Sequence, residues 1–138
     1  MQQIQSLKIM KFTILLAVIS SIKYVRSESC QCAAYFTSDI AEVRKIYKVP
    51  DYEIENCYQT AECHRGCYDT FSRLTNNGDV THIAPNGLRI AQLACHNYGY
   101  DIENGQLGAY IRVCNGPWQY INTANGPICC RNGDSVPC

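Results

Sequence analysis

The sequence predicts an α+β domain held by disulfides, and three observations carry that expectation. All ten cysteines lie beyond residue 29, behind an apolar N-terminal stretch with basic flanks. Apolar residues recur at helical spacing through the middle of the chain. Six Asn-Gly pairs, four of them after residue 100, cut the last third into segments of strand length. The expected layout is two to three helices followed by a short antiparallel β-meander, in a small disulfide-rich secreted domain.

The N-terminal stretch reads as a signal peptide over residues 1–27. Phe12 to Ile19 is apolar and continues through Ser20 and Ser21 to Ile22, with Lys8 and Lys11 before it and Lys23 and Arg26 after it. A basic flank, about ten apolar residues and then small residues is the pattern of a secretory leader. The run is too short for a membrane-spanning helix, which needs about twenty apolar residues. Val25 and Ser27 fit the small-residue positions before a cut, and Met10 offers a second start. The remaining 111 residues, 28–138, make one cysteine-rich domain. Four of the twelve basic residues leave with the leader and none of the twelve acids does, so the net charge becomes −4 (8 against 12). A mildly acidic chain without a basic cluster argues against nucleic acid and anionic membrane as partners.

Cys30, Cys32, Cys57, Cys63, Cys67, Cys95, Cys114, Cys129, Cys130 and Cys138 make an even set. Behind a leader, an even set reads as five bridges. The pairing stays open, because ten cysteines allow 945 full pairings (9 × 7 × 5 × 3). Neighbours such as Cys30 and Cys32, or Cys129 and Cys130, should each take a distant partner. Metal sites favour spaced cysteine pairs with histidines nearby, so no metal and no cofactor is expected.

The first helix is expected after Asp39 and Glu42, which have capping-box spacing with Asp in the Ser/Thr place. Ile40, Val43, Ile46 and Tyr47 would form its apolar face, and Pro50 would stop it. Asp51, Glu53 and Glu55 alternate along an extended, solvated lead-in to Cys57. The second helix runs from about Glu55 to Leu74, with Cys63, Cys67, Phe71 and Leu74 as one stripe. Gly66 weakens it by about 1 kcal/mol relative to alanine, and Asn76-Asn77-Gly78 ends it. The third runs from about Leu88 to Asn97, with Asn86 near its start, Ile90, Leu93 and Ala94 facing inward, and Gly99 past its end. Leu107 to Cys114, Trp118 to Asn122 and Ile128 to Cys130 then read as strands.

One stretch has a catalytic cast. In Cys63-His64-Arg65-Gly66-Cys67-Tyr68, the His-x-x-Cys-Tyr portion resembles a fragment of the secreted phospholipase A2 signature. That resemblance implies a helical histidine, His64, that activates water, and a following aspartate that helps bind calcium. Arg65 stands in the aspartate position, and no glycine-rich calcium loop precedes it, so the electrophile is missing. The plainer reading is a helix stapled through Cys63 and Cys67 with His64 exposed. No Gly-x-Ser-x-Gly elbow and no Asn-x-Ser/Thr sequon occurs.

The aromatic residues point to recognition. Tyr98, Tyr100, Tyr110, Trp118 and Tyr120 gather in the last third, and such rings favour interfaces as readily as cores. The hairpin at Asn115-Gly116 decides which face they take. A two-residue loop pairs Val113 with Trp118 and Ile111 with Tyr120, all on the core side. A loop that includes Pro117 pairs Arg112 with Tyr120 and turns Trp118 away from the core. Pro117 has no N–H for a pair beside a tight turn and holds Gly116 extended, which favours the longer loop. Tyr110, Arg112, Trp118 and Tyr120 would then share the less buried face and form a binding site for an extracellular protein or glycan. The leading functional expectation is a toxin-like, defence or signalling protein acting by surface recognition. A small secreted hydrolase and a matrix component are the alternatives.

Overall fold

Two cysteines on a strand and two on a helix organise the chain. β1 (Glu28–Phe36) turns Cys30 and Cys32 to the same side, and α1 (Thr60–Leu74) presents Cys63 and Cys67 one turn apart. In the computed structural model, which describes residues 28–138, Cys30 bonds Cys63 and Cys32 bonds Cys67. Residues i and i+2 of a strand lie about 6.6 Å apart, and residues i and i+4 of a helix about 6 Å apart. The two spacings match, so both bridges close side by side. The expected leader, residues 1–27, lies outside the described residues.

Among the described residues the fold is α+β, with two α-helices, antiparallel sheets and five disulfides. β2 (Tyr47–Ile54), β1, β4 (Leu107–Val113) and β5 (Gln119–Thr123) form a four-stranded sheet in the order β2-β1-β4-β5. α1 and α2 (Ile90–Tyr98) cover its inner face. β3 (Ile102–Gly105), β6 (Ile128–Arg131) and β7 (Asp134–Val136) form a second sheet in the order β3-β6-β7. Cys95–Cys130 ties α2 to β6, and Cys129–Cys138 closes the C-terminus. Cys57–Cys114 ties the loop before α1 to the end of β4.

The helix expected after Asp39 is not there. Only Glu42–Arg44 makes a turn of 3-10 helix, and Lys45 is already extended. Val43, placed by the periodicity on the apolar face, is 88% exposed. From Tyr47 onward the chain pairs with β1, so tertiary pairing overrides a three-residue spacing too short to nucleate a helix. Pro50 falls inside β2 rather than ending a helix. β2 is an edge strand, and the pairing slips by one residue between Cys30↔Tyr52 and Cys32↔Val49. Edge strands and bulges are where a proline is tolerated.

The other helices lie close to expectation. α1 starts at Thr60 and ends where Asn76, Asn77 and Gly78 all take positive φ, with the Asn77 N–H donating to the Ser72 carbonyl at 2.7 Å. α2 ends at Gly99, whose φ of 74° lets its N–H reach the Cys95 carbonyl. The expected meander divides instead. β4 and β5 make a hairpin, but β6 leaves for the second sheet, where Asn132-Gly133 turns tightly into β7 with φ of 51° and 81°.

Gly66 has a specific reason to be glycine. A Cβ there would come within 2.7 Å of the Tyr52 hydroxyl, which donates to the Cys63 carbonyl at 2.7 Å. β2 thereby closes on α1 through a residue that helix propensity alone would replace. We expect Gly66→Ala to lower stability, because overpacking costs about 1–3 kcal/mol against a propensity gain of about 1 kcal/mol. The loss should shrink in a Tyr52→Phe background, measured from denaturant midpoints. A raised midpoint for Gly66→Ala alone would contradict this packing.

The bridges should also reduce in two stages. Three bridges have both sulfurs on buried residues (Cys30, Cys32, Cys63, Cys67, Cys95 and Cys130), whereas Cys57 and Cys138, the partners of half-buried Cys114 and buried Cys129, are exposed. Access limits thiol exchange. Mild reduction followed by alkylation and peptide mapping should label Cys57, Cys114, Cys129 and Cys138 first. Early labelling of Cys63 or Cys67 would contradict the order.

Candidate functional site

The β4–β5 turn settles where the aromatic residues go. Positive φ falls on Cys114 (49°) and Asn115 (59°), and the Gly116 N–H donates to the Val113 carbonyl at 2.9 Å. The tight turn therefore sits one residue earlier than Asn115-Gly116, and Gly116-Pro117-Trp118 runs on before β5. Tyr110 pairs with Tyr120 and Ile111 with Gln119. This register differs from both expected ones: it is displaced two residues from the longer loop, so its side-chain parity is the same. Tyr110, Arg112, Trp118 and Tyr120 consequently share the outer face of the sheet, away from the helices.

That face is more closed than expected. Tyr110 is 4% exposed, as buried as its inward neighbours Ile111 (1%) and Val113 (8%) are on the other side. Tyr35 and Ala33 of β1 join it there as a small apolar cluster with Trp118 packed against them. The rings meet edge to face, with centroids 5.4 Å apart for Tyr35 and Trp118, and 5.8 Å apart for both Tyr35–Tyr110 and Tyr110–Tyr120. The two central strands are thus covered on both sides. Trp118 is half-buried, and Tyr120, on the edge strand, is 56% exposed.

Glu42 holds this face together. One carboxylate oxygen accepts from the Trp118 indole N–H at 3.1 Å and from the Tyr35 hydroxyl at 3.2 Å, with the Arg112 guanidinium 3.7 Å away. Lys45 donates to the other oxygen. Lys45 and Arg112 also lie 5.5 Å from the Trp118 ring centroid, on the scale of a cation–π contact. These donors, Lys45 foremost and then Trp118, pull the Glu42 carboxyl below its usual range. Burial, and then the neighbouring Glu42 charge, push the Tyr35 hydroxyl well above its own. A second anchor holds the same segment farther along: Tyr98 donates to Asp39 at 3.0 Å, and the Arg44 guanidinium sits 3.6 Å over the Tyr100 ring.

Sequence reasoning missed Tyr35, Glu42 and Lys45. Glu42 had the spacing of a helix cap, and nothing local shows that it reaches a residue 76 positions away. The signal that could have found Tyr35 is the run Ala33-Ala34-Tyr35-Phe36, which is apolar at every position as a strand buried on both faces must be.

The catalytic candidate stands alone. His64 lies on the exposed side of α1, and among the described residues no hydrogen bond or ion pair engages it. Among the described residues one group has the spacing to ligate a metal, with donor atoms of Glu28, Cys57 and Cys114 within 4.8 Å of one another. Its two sulfurs are bonded to each other, and a bridged sulfur is not a thiolate ligand. Among the described residues no helix is long and apolar enough to cross a membrane.

The Glu42 contacts make a pH prediction. A carboxyl with a depressed folded value contributes stability above its unfolded value and loses it as pH falls through the folded one. Glu42 is the carboxyl among these partners. Its carboxylate is 56% exposed, which limits the contribution to about 1 kcal/mol or less. Trp118 is the chain's one tryptophan, so its emission reports the face directly. We expect a red shift with a midpoint below the ordinary glutamate value, absent in Glu42→Gln. An unchanged titration in that variant would assign the shift to another acid.

Compared with protein-family models, with curated proteins and with solved structures, the chain matches none of them.

Proposed function

We propose that this domain is an extracellular recognition protein whose contact surface is the β5 side of the outer sheet face. The observation that carries the reading is the setting of Trp118. It is half-exposed, held edge-on by Tyr35, flanked by Arg112 and Lys45, and fixed through its N–H to Glu42. A ring locked in this way loses little rotamer freedom on binding, and aromatic residues beside an arginine are the usual make-up of a hot spot. Tyr120 extends the same surface outward, with its hydroxyl paired to Thr123 at 2.8 Å.

The two edges of the sheet support a protein partner. β2 carries Pro50, a bulge, Lys48, Asp51 and Glu53, which are devices that discourage pairing with another chain. β5, Gln-Tyr-Ile-Asn-Thr, is bulged at Ile121 but carries no charge and no proline. An edge left without charge or proline beside an aromatic anchor suits a partner that lays an extended segment along it.

Site-specific photo-cross-linking tests the reading. A cross-linker in place of Tyr120 should capture a discrete protein from the producing organism's extracellular fluid, and one in place of Tyr68, on the far side of α1, should not. Trp118→Ala should abolish capture while leaving five bridges by mass. Equal capture from both positions, or binding to a glycan array that Trp118→Ala leaves intact, would sink the proposal.

A further inference from the structure

The opposite face of the sheet contains a cavity that none of the residues discussed above explains. It measures about 190 Å³ and lies where the C-terminal end of α1 and the start of α2 meet the ends of β1 and β4. Phe71 and Leu74 come from α1 and Leu93 from α2, while Ala34, Ala84 and Ala94 leave the space between them unfilled. It is an open pocket rather than a sealed void: Tyr47, Pro85 and Asn86 at its mouth are exposed, while Ala34, Ala84, Ile90 and Ala94 at its floor are buried.

Water is a poor occupant. A buried water needs two to four polar partners, and the polar groups here are already engaged. The Thr75 hydroxyl donates to the Phe71 carbonyl at 2.7 Å and accepts from the Gly78 N–H at 2.8 Å. The Asn86 side-chain oxygen accepts from the Leu88 N–H at 3.1 Å. What remains is the Asn86 amide N–H₂ and the half-exposed Tyr47 hydroxyl. No charged side chain lines the cavity.

We infer that this cavity is a binding site for a small neutral apolar molecule with at most one hydroxyl or carbonyl. About 150 Å³ of apolar space is enough for benzene, so this pocket has room for a substituted ring or a chain of about six to ten carbons. The apolar part lies among Phe71, Leu74 and Leu93, and the polar group faces Tyr47 and Asn86. A carboxylate or ammonium would meet no countercharge inside and would lose its hydration. The inference is independent of the recognition surface, which lies on the other side of the sheet.

The probes are toluene, p-cresol, 1-hexanol, benzoate and hexylammonium, each titrated into the intact disulfide-bonded domain and followed by backbone amide shifts. The neutral probes should give saturable shifts centred on Ala34, Ala84 and Ala94, consistent with one site. The two ions should bind at least tenfold more weakly. Ala94→Leu should fill the space, keep or raise the melting temperature, and weaken p-cresol at least tenfold. If that variant does not fold, Ala34→Val carries the same expectation from the sheet side. Leu74→Ala should enlarge the site and admit naphthalene. No saturable shift up to the solubility limit, shifts centred elsewhere, or p-cresol binding unchanged in a folded filled variant would overturn the inference. Equal affinity for benzoate and toluene would overturn the claim of neutrality.

Discussion

The paired bridges between β1 and α1 are the constraint from which the rest of the structure follows. Cys30–Cys63 and Cys32–Cys67 fix the direction of the helix along the strand as well as the contact between them. One bridge would leave a pivot, whereas two, spaced by matched repeats, leave none. They also decide which side of β1 is the inside. With that parity set, β4, paired residue for residue from Cys30↔Val113 to Phe36↔Leu107, must turn Ile111 and Val113 inward and Tyr110 and Arg112 outward. Losing a bridge of this kind typically costs a small secreted domain about 2–5 kcal/mol.

An apolar outer face then needs its own cover. Ala33, Tyr35 and Tyr110 would otherwise stand in water, and among the described residues no α-helix lies on that side. The segment after β1 folds back over them with a single turn of 3-10 helix, and Glu42 pins it. The carboxylate serves two ends at once. It satisfies the Tyr35 hydroxyl and the Trp118 indole, which would cost free energy if buried unpaired, and it balances Arg112 and Lys45. The same contacts leave Trp118 rigid and partly open, so what completes the fold on this side also prepares a surface.

Much of this was legible in the chain, and the failures share a cause. The stripe Cys63, Cys67, Phe71 found α1, and Ile90, Leu93 and Ala94 found α2, because each buries one face against one layer. The alternation of Asp51, Glu53 and Glu55 did mark an extended, solvated strip, now the exposed side of β2 and the turn after it. β1 escaped notice because a strand buried on both sides has no alternation to show. Asp39 to Tyr47 misled because Ile40, Val43, Ile46 and Tyr47 fell at helical spacing in a segment that a distant carboxylate contact and pairing with β1 organise. The hairpin turned one residue early because Gly116, ahead of Pro117, suits an extended backbone, while Cys114 is tied to Cys57 and takes the first turn position instead. In each case the deciding interaction spans dozens of residues, and local pattern carries no trace of it.

The bridges also bear on where the inner face packs well and where it does not. Two clusters divide that face. One gathers around the four stapling cysteines with Ile54, Ile111 and Val113, and the other around α2 with Phe36, Leu107 and Ile128. In the first, covalent bonds hold strand and helix at a set distance and the side chains fill it. In the second, no bridge joins the first sheet to a helix, since Cys95 reaches instead to Cys130 in the second sheet. The separation there is set from both ends, by the staples at the start of β1 and by the second sheet beyond α2. Collapse onto alanines at positions 34, 84 and 94 is therefore resisted by a frame that those positions do not control. Where the frame does not let the chain close over small side chains, the volume they leave stays as a pocket that opens between Tyr47 and Asn86.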